Sequence, residues 1–356
     1  MSAIDRAVPV RPAPAPARSL ARGRAARGRR RILVTAGLGL LVLVLAVVSL
    51  MVGRTFYGLD VVIPVVFGAE VDGATFTVGT LRLPRMVLGL FAGFAFGLAG
   101  VTFQTMLRNA LASPDVIGIT SGAGAAATFA IMVLHLSEQL TALFAITGAL
   151  VVAVGIYLLS RRGGAVGTRL ILIGIGVAAM LDAVIAYVTV HTGSFWDQAA
   201  LMRWFTGSLN GATWSLGLPL IVGVAVLAPL LLALGRDLGL LRLGDDAASA
   251  LGVRVGRTRL LAILAAVGLI AVATAATGPI AFVAFLAGPI ASHLVKPGGS
   301  LLLPAAFVGA ALVLAADLVG QWLLPSKLPV GVITGIIGAP YLLLLLISTN
   351  RKGATL

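Results

Sequence analysis

The sequence predicts an all-α polytopic membrane protein with about ten transmembrane helices. Apolar residues make up 59% of the 356 residues, charged residues only 11%, and the mean hydropathy is +1.08. A soluble domain carries about 25% charged residues. Apolar runs of the length that crosses a bilayer, about 20 residues, recur from Ile32 onward, and they leave no room for a large soluble domain.

The first 31 residues differ from the rest of the chain. They hold nine arginines and four prolines without apolar periodicity, which predicts a disordered cytoplasmic tail. A signal peptide is the alternative, because three arginines precede an apolar run. That run, residues 32–52, has 21 residues, whereas a signal h-region has about 7–15, so an uncleaved first span is favoured.

Hydropathy divides residues 32–349 into ten spans and leaves a short cytoplasmic tail, 350–356. The spans are 32–52, 86–107, 116–136, 140–160, 169–191, 214–235, 258–277, 279–295, 301–323 and 329–349. If both termini are cytoplasmic, 21 of the 26 Lys and Arg lie inside, as the positive-inside rule requires. This distribution also explains the net charge of +14 without nucleic acid. The proline-interrupted span 279–295 is the shortest; without it the C-terminus lies outside.

Several classes of site are absent from the sequence. There is no cysteine, and the three histidines, His135, His191 and His293, share no metal-ligand spacing, so no metal site is predicted. There is also no Gly-Lys dipeptide and therefore no P-loop. We expect the chain to bind no cofactor, and any ATP and Mg²⁺ to be bound by partner subunits.

Two arginines just before the second span, Arg82 and Arg85, oppose the positive-inside trend because they lie on the predicted outer side. They could dock an acidic surface, or they could reach lipid headgroups, and the residues alone favour neither. Further along the same span, Gln104 is polar at depth. It is a candidate for lining a path or bridging helices.

Three glycines of the second span recur every four residues and share one helix face: Gly89, Gly93 and Gly97. Small residues at this spacing let helix backbones approach closely in lipid. Packing within one subunit is the favoured interpretation, and lining a pathway or a subunit contact is the alternative.

Two carboxylates lie inside predicted spans, Asp182 in the fifth and Asp317 in the ninth. A charge in hydrocarbon costs several kcal/mol, so each should face protein or water. Proton coupling and a hydrogen-bonded packing role are the alternatives. Packing is favoured for Asp317, and both remain open for Asp182.

The longest inner loop, residues 236–257, has a helix-like core from Asp245 to Leu251 between Gly244 and Gly252. A short helix at the cytoplasmic face could transmit force from a soluble partner. An ordinary solvated connector is the alternative.

Six motifs in order resemble the permease subunits of bacterial ABC importers for iron–siderophore complexes and vitamin B12. They are LRLPR at 81–85, LRNALASPDVIGITSGAGAA at 107–126, LGDDAASALGVRVGRTR at 243–259, GPIAFVAFLAGPIASHL at 278–294, LLLPAAFVGAALVLAADL at 301–318 and LPVGVITGIIGAPYLLLLL at 328–346. The resemblance covers nearly the whole chain after the tail.

The resemblance implies a type II ABC importer permease fold, in which two ten-helix subunits enclose a central path. It implies two ATPase subunits below and a substrate-binding lipoprotein above. Arg82 and Arg85 carry over as docking residues, and the loop residues carry over as the element that contacts the ATPase. The second span and the LASPD segment would lie near the path. The assigned residues are Gly244, Asp245, Ala248, Leu251 and Gly252 for coupling, and Gly89, Gly93, Gly97, Gln104, Ser113 and Pro114 for the path or helix packing.

The chain departs from the family pattern at two places. Members often have an arginine four residues after the aspartate of the ninth span, where this chain has Gln321. A third docking arginine is therefore missing; Lys327 is a candidate replacement, and a heterodimer could supply the contact from the partner. Many members also have a Pro-His pair in the eighth span, where Pro289 and His293 are separated here.

The resemblance thus implies a non-enzymatic permease that imports a ferric siderophore across the cell membrane, driven by ATP hydrolysis on other subunits. Vitamin B12 or heme is the alternative substrate within the family. A proton-coupled secondary transporter using Asp182 is a rival of another class. An integral membrane transferase is disfavoured, because Asp245-Asp246 is the only acidic pair.

Overall fold

The computed structural model describes residues 17–114, 118–160, 166–192, 194–296 and 299–353, and within these ranges the chain is helical with no strand. The helices in chain order are α1 (Ala17–Met51), α2 (Leu59–Val66), α3 (Leu83–Met106), α4 (Ile119–Met132), α5 (Glu138–Ser160), α6 (Val166–His191), α7 (Phe195–Thr206), α8 (Trp214–Ala233), α9 (Gly235–Leu241), α10 (Asp245–Ala250), α11 (Val255–Thr277), α12 (Val283–Val295), α13 (Leu302–Leu318) and α14 (Val330–Gly353). Two π-helical segments, Thr75–Arg82 and Val319–Leu323, adjoin α3 and α13.

The predicted class is confirmed. Among the described residues, seven helical segments are long and apolar enough to cross a membrane, and three shorter apolar helices accompany them. Each predicted span overlaps one of these ten. The weakest of them, 279–295, becomes the 13-residue α12. At 1.5 Å per residue α12 is about 20 Å long, shorter than the roughly 30 Å hydrocarbon core.

The disorder predicted for the N-terminal tail needs correction. Helix α1 begins at Ala17, so residues 17–31 are helical where the sequence predicted a disordered segment. Alanine and arginine are strong helix formers, and the last proline of the segment is Pro16. At the other end of the chain, helix α14 continues to Gly353, and the predicted cytoplasmic location of this end stays a prediction. Residues 1–16 and 354–356 lie outside the described residues, as does Asp115 of the LASPD segment.

Segments between the predicted spans hold further helices. The outer loop 53–85 contains α2 and a π-helical segment. In the inner loop, α10 confirms the predicted helical core at 245–251, and α9 was not predicted. In the outer loop 192–213, helix α7 starts at a capping box, in which the Ser194 hydroxyl accepts from the backbone N–H of Asp197 and the Asp197 carboxylate accepts from that of Ser194. The pattern Ser-x-x-Asp at 194–197 is a sequence signal for this helix start.

Helix α3 is the centre of the bundle, and it packs against α8, α11, α12 and most extensively α13. Its glycines explain that contact: a Cβ at Gly93 would lie 2.5 Å from the carbonyl oxygen of Gly309 on α13, and one at Gly97 would collide with the Ala305 carbonyl. The glycine ladder therefore sits in a helix pair within this chain. By contrast, α6 is the least buried of the long spans.

Candidate functional site

Two faces of the bundle carry the candidate residues. We call the end of the spans that carries Arg85 and Lys327 the outer face, and the end that carries Arg108 and Asp245 the inner face, following the predicted orientation. Helix α3 runs between them, with Arg85 in its first turn and Arg108 just beyond its last residue.

At the outer face, Arg85 and Asp317 form a bidentate ion pair between α3 and α13. Arg85 Nε donates to Asp317 Oδ2 at 2.8 Å, and Nη2 donates to Oδ1 at 2.6 Å. The Asp317 side chain is 11% exposed and that of Arg85 is 22% exposed. The intramembrane acid and the candidate docking arginine, predicted separately, are thus partners in the structure. This pairing removes the isolated charge that Asp317 would otherwise place at the membrane boundary.

A short polar network extends from this ion pair. Arg85 Nη1 donates to the Asn210 side-chain oxygen at 2.9 Å, and Gln321 Nε2 lies 3.4 Å from the same oxygen. Gln321 therefore lies beside Arg85 and shares its acceptor. The sequence did not indicate Asn210, which lies in the segment between α7 and α8.

Arg82 has a different environment from Arg85. Its Nη1 donates to the carbonyl oxygens of Leu50 and Met51 at 2.8 and 2.9 Å, and its Nη2 donates to that of Thr55 at 2.7 Å. These carbonyls lie at and just after the C-terminus of α1, where a cation is favoured by unsatisfied acceptors and the helix dipole. Arg82 would have to release these bonds to contact another protein.

Lys327 is exposed at the outer face, with its ammonium nitrogen 5.6 Å from the centre of the Trp322 ring. Of the three predicted docking residues, it alone makes no hydrogen bond or ion pair within the described part of the chain. Its position suits contact with an acidic surface, and the docking role of all three residues remains a prediction.

An outer cavity of about 550 Å³ lies beside this network, bordered by α7, the α4–α5 connection and the end of α11. His135 Nδ1 lies 3.6 Å from Asp197 Oδ1 across it. Hydrogen bonds from the Ser194 backbone and hydroxyl hold the pKa of Asp197 below its ordinary value, with a smaller contribution from His135. Asp197 therefore keeps its negative charge in mildly acidic medium. Neither His135 nor Asp197 was predicted from the sequence as a site residue.

In the bundle interior, Gln104 supplies a hydrogen-bond donor that a proline in α12 lacks. Pro289 in α12 has no N–H, so the carbonyl of Phe285 four residues earlier lacks its helical donor. Gln104 Nε2 donates to that carbonyl at 3.0 Å, and the Gln104 side chain is buried. Gln104 thus bridges α3 and α12. Ser113 and Pro114 are also buried, in the turn after α3.

Asp182 lies on an exposed face of α6. It is nine residues from His191 at the helix end, about 14 Å along the axis. Met180 and Val184 beside it are 71% and 52% exposed. A carboxylate at this depth requires water or another protein surface.

At the inner face, Asp245 braces the short helix α10 against two longer helices. Arg259 in α11 donates from Nη2 to both carboxylate oxygens of Asp245 at 3.0 and 3.1 Å. Arg108, next to the end of α3, places Nη2 3.6 Å from Oδ1. The Arg259 side chain is only 9% exposed, so Asp245 neutralises a nearly buried cation. Neither arginine was selected from the sequence, although both belong to the quoted motifs.

The residues exposed around α10 coincide only in part with those that the sequence predicted for coupling. Ala248 is fully buried and packs α10 against the bundle, so its predicted coupling role remains a prediction. Leu251 is 57% exposed, and Leu243 and Ala247 are exposed beside it. Gly244 has φ +110°, a conformation essentially restricted to glycine, which turns the chain into α10.

Removing the Asp245 charge is expected to weaken the link between α10 and the transmembrane helices. In Asp245→Asn, the nearly buried Arg259 loses its counter-charge, and we expect the protein to lose about 1.5–3 kcal/mol of stability, the value of a hydrogen bond to a charged group. Thermal unfolding of the detergent-purified protein measures the change. Asp246→Asn makes the same charge change where no ion pair exists in the described residues; an equal loss there would attribute the effect to surface charge.

Comparison with known proteins gives one consistent family. The model of the FecCD transport family matches residues 41–348. The ferric enterobactin transport system permease protein FepG of Escherichia coli (strain K12) is 43% identical over 282 residues, which span 78% of this chain and 84% of FepG. FepD, named as a permease of the same system, is 35% identical across 86% of this chain and 92% of its own length.

Two further matches extend this comparison. The cobalamin import system permease protein BtuC of Halobacterium salinarum is 35% identical, across 80% of this chain and 76% of BtuC. A solved structure described as an inward-facing conformation of a metal-chelate type ABC transporter superposes with a TM-score of 0.79 at 28% identity. It covers 88% of this chain and 99% of that one, so the two share their fold over nearly the full length.

Proposed function

The chain belongs to the FecCD transport family, and from this membership we propose that it is the transmembrane subunit through which an ABC importer takes up a ferric siderophore. The proposed mechanism rests on α10, an exposed helix at the inner face. Asp245 holds this helix to α11 and to the end of α3. The sequence has no P-loop. ATP hydrolysis on separate subunits would therefore act on the permease through this helix.

The packing supports a route for that action. Displacement of α10 would act on Arg108 at the end of α3 and on Arg259 in α11 through the same carboxylate. Helix α3 is packed on α13 along the glycine face and is tied to it again by Arg85–Asp317. A movement at the inner face would thus reach the outer face through a rigid helix pair, because close-packed interiors transmit strain.

The exposed face of α6 supports a second permease subunit. Asp182 and its exposed apolar neighbours lie on the least buried long span. A second subunit opposite α6 would enclose a water-filled path and keep the Asp182 carboxylate out of lipid. FepG and FepD are two permease proteins of one system, and a heterodimer of this kind is proposed here. Two cytoplasmic ATPase subunits and a substrate-binding lipoprotein at the outer face complete the proposed assembly.

The substrate proposal rests on the relatives. The nearest match reported above, FepG, is named for ferric enterobactin, whereas BtuC at lower identity is named for cobalamin. A ferric siderophore is therefore the first candidate and vitamin B12 the second. Nothing in the described residues favours heme.

Uptake measurements in the source organism test the proposal. Deletion of this gene is expected to abolish uptake of one radiolabelled ferric siderophore from a panel of catecholate, hydroxamate and citrate chelates, and the chain supplied in trans should restore it. Uptake should also be lost when the cognate ATPase is inactivated. Retained uptake in that ATPase-deficient strain, combined with its loss on adding an uncoupler, would contradict an ABC importer and favour proton coupling through Asp182.

A further inference from the structure

A groove of about 580 Å³ lies between α1, α8 and α13, away from the candidate sites. Its walls are apolar along most of the length, and polar groups occur at one end only. The apolar lining comprises Ile32, Ala36, Gly39, Leu232, Leu303, Pro304 and Phe307, and the polar lining comprises Arg31, Thr35 and Ser300.

The polar end of the groove lies at the level of the membrane surface on the inner face. Arg31 is the last residue before the apolar run of α1, Ser300 precedes the first residue of α13, and Leu232 is near the end of α8. Gly39 lies eight residues beyond Arg31 on the same helix, about 12 Å deeper. The groove thus runs from headgroup level into the hydrocarbon region.

The polar end carries uncompensated positive charge. Arg31 takes part in no ion pair within the described residues, and no acidic side chain lines the groove. Arg27, exposed one turn earlier, lies on the same face of α1. Ser300 Oγ accepts from the backbone N–H of Leu302 at 3.3 Å, which leaves the hydroxyl hydrogen to donate toward the groove.

The position of Arg31 depends on a glycine. A Cβ at Gly299 would lie 2.7 Å from Arg31 Nη1 and 3.1 Å from its Cδ. The arginine side chain therefore lies against the backbone of the loop before α13, in space that another residue would fill. The neighbouring Arg30 does not line the groove; its Nη2 donates to the Leu294 carbonyl oxygen at 3.1 Å.

We propose that this groove binds an anionic phospholipid of the leaflet facing the N-terminal arginines, with its phosphate on Arg31 and Ser300 and an acyl chain along Gly39 and Phe307. Basic pockets between transmembrane helices bind anionic headgroups by this combination of charge and apolar depth. The bound lipid fills the space between α1 and the bundle and joins their inner ends.

Lipid retention tests the proposal on the full chain with its partner subunits. The complex is reconstituted in vesicles of equal phosphatidylglycerol and phosphatidylethanolamine, extracted in detergent and examined by native mass spectrometry. We expect retained phosphatidylglycerol to exceed phosphatidylethanolamine, and Arg31→Gln to lower that preference about fivefold, the value of one arginine near an anionic surface. Gly299→Ala should lower it as well by displacing the guanidinium.

A matched pair of glycine variants tests the acyl-chain part. A Cβ at Gly39 would lie 3.7 Å from the Phe307 ring, whereas one at Gly37 has nothing within 4 Å. Gly39→Leu should therefore fill the groove and abolish retention of either lipid, and Gly37→Leu should retain phosphatidylglycerol as the wild type does. Equal retention of phosphatidylglycerol by wild type and Arg31→Gln, a preference for the neutral lipid, or equal loss in both leucine variants would overturn the proposal.

Discussion

Asp317→Ala is expected to destabilise the protein by about 3–4 kcal/mol, because it leaves the Arg85 guanidinium without its counter-charge in a largely buried position. Arg85 makes two of its three side-chain hydrogen bonds to this carboxylate. Water reaches 22% of the Arg85 side chain, so the effect belongs at the lower end of the range for buried pairs. Thermal unfolding of the detergent-purified protein, followed by size-exclusion chromatography, measures the change.

Two variants separate charge from packing at this site. Asp317→Asn keeps the shape and one acceptor oxygen, so its loss should be smaller than that of Asp317→Ala. The double variant Arg85→Met, Asp317→Leu removes both charges and should recover much of the stability, since an apolar pair of similar volume often replaces a buried ion pair without loss. A double variant as unstable as Asp317→Ala would show that the ion pair is not the source of the effect.

Gly93→Ala is expected to disrupt the pairing of α3 with α13 and to cost about 3 kcal/mol, the upper part of the usual range for overpacking. The added Cβ would lie 2.5 Å from the Gly309 carbonyl oxygen and 2.7 Å from the Ala310 Cα. Both are backbone atoms, so relief requires the helices to separate rather than a side chain to rotate. The yield of folded protein after detergent extraction and its melting temperature report the change.

Gly155→Ala is the matched control for this substitution. Gly155 lies within the long helix α5, and a Cβ there has no heavy atom within 4 Å. Since alanine is favoured over glycine in a helix by up to about 1 kcal/mol, this variant should be at least as stable as the wild type. If Gly93→Ala matched Gly155→Ala in yield and melting temperature, the close contact between α3 and α13 would be refuted.

Hydropathy alone located the spans because burial in lipid acts on each 20-residue segment locally. The short helix α10 was predicted from the core between Gly244 and Gly252, whereas α7 was not predicted because its signal is a single capping box. The polar and basic composition of the N-terminal segment predicts disorder, whereas its arginines and alanines favour the helix that the structure has from Ala17. A polar composition indicates that the segment cannot form a hydrophobic core. It does not exclude a helix, because the local conformation depends on the helix propensity of the residues.

The sequence by itself therefore determined the membrane class, the approximate spans, the absence of a P-loop, the glycine face of α3 and the family resemblance, since each depends on residues close together in the chain or on motifs in order. Only the tertiary structure decided which side chains become partners. Arg85 and Asp317 are 232 positions apart, and Asp245 meets Arg259 fourteen positions away and Arg108 just beyond the end of α3. Whether an arginine faces outward or satisfies a carbonyl or carboxylate of its own chain depends on how the helices pack, because that packing sets the distances on which charge interactions depend.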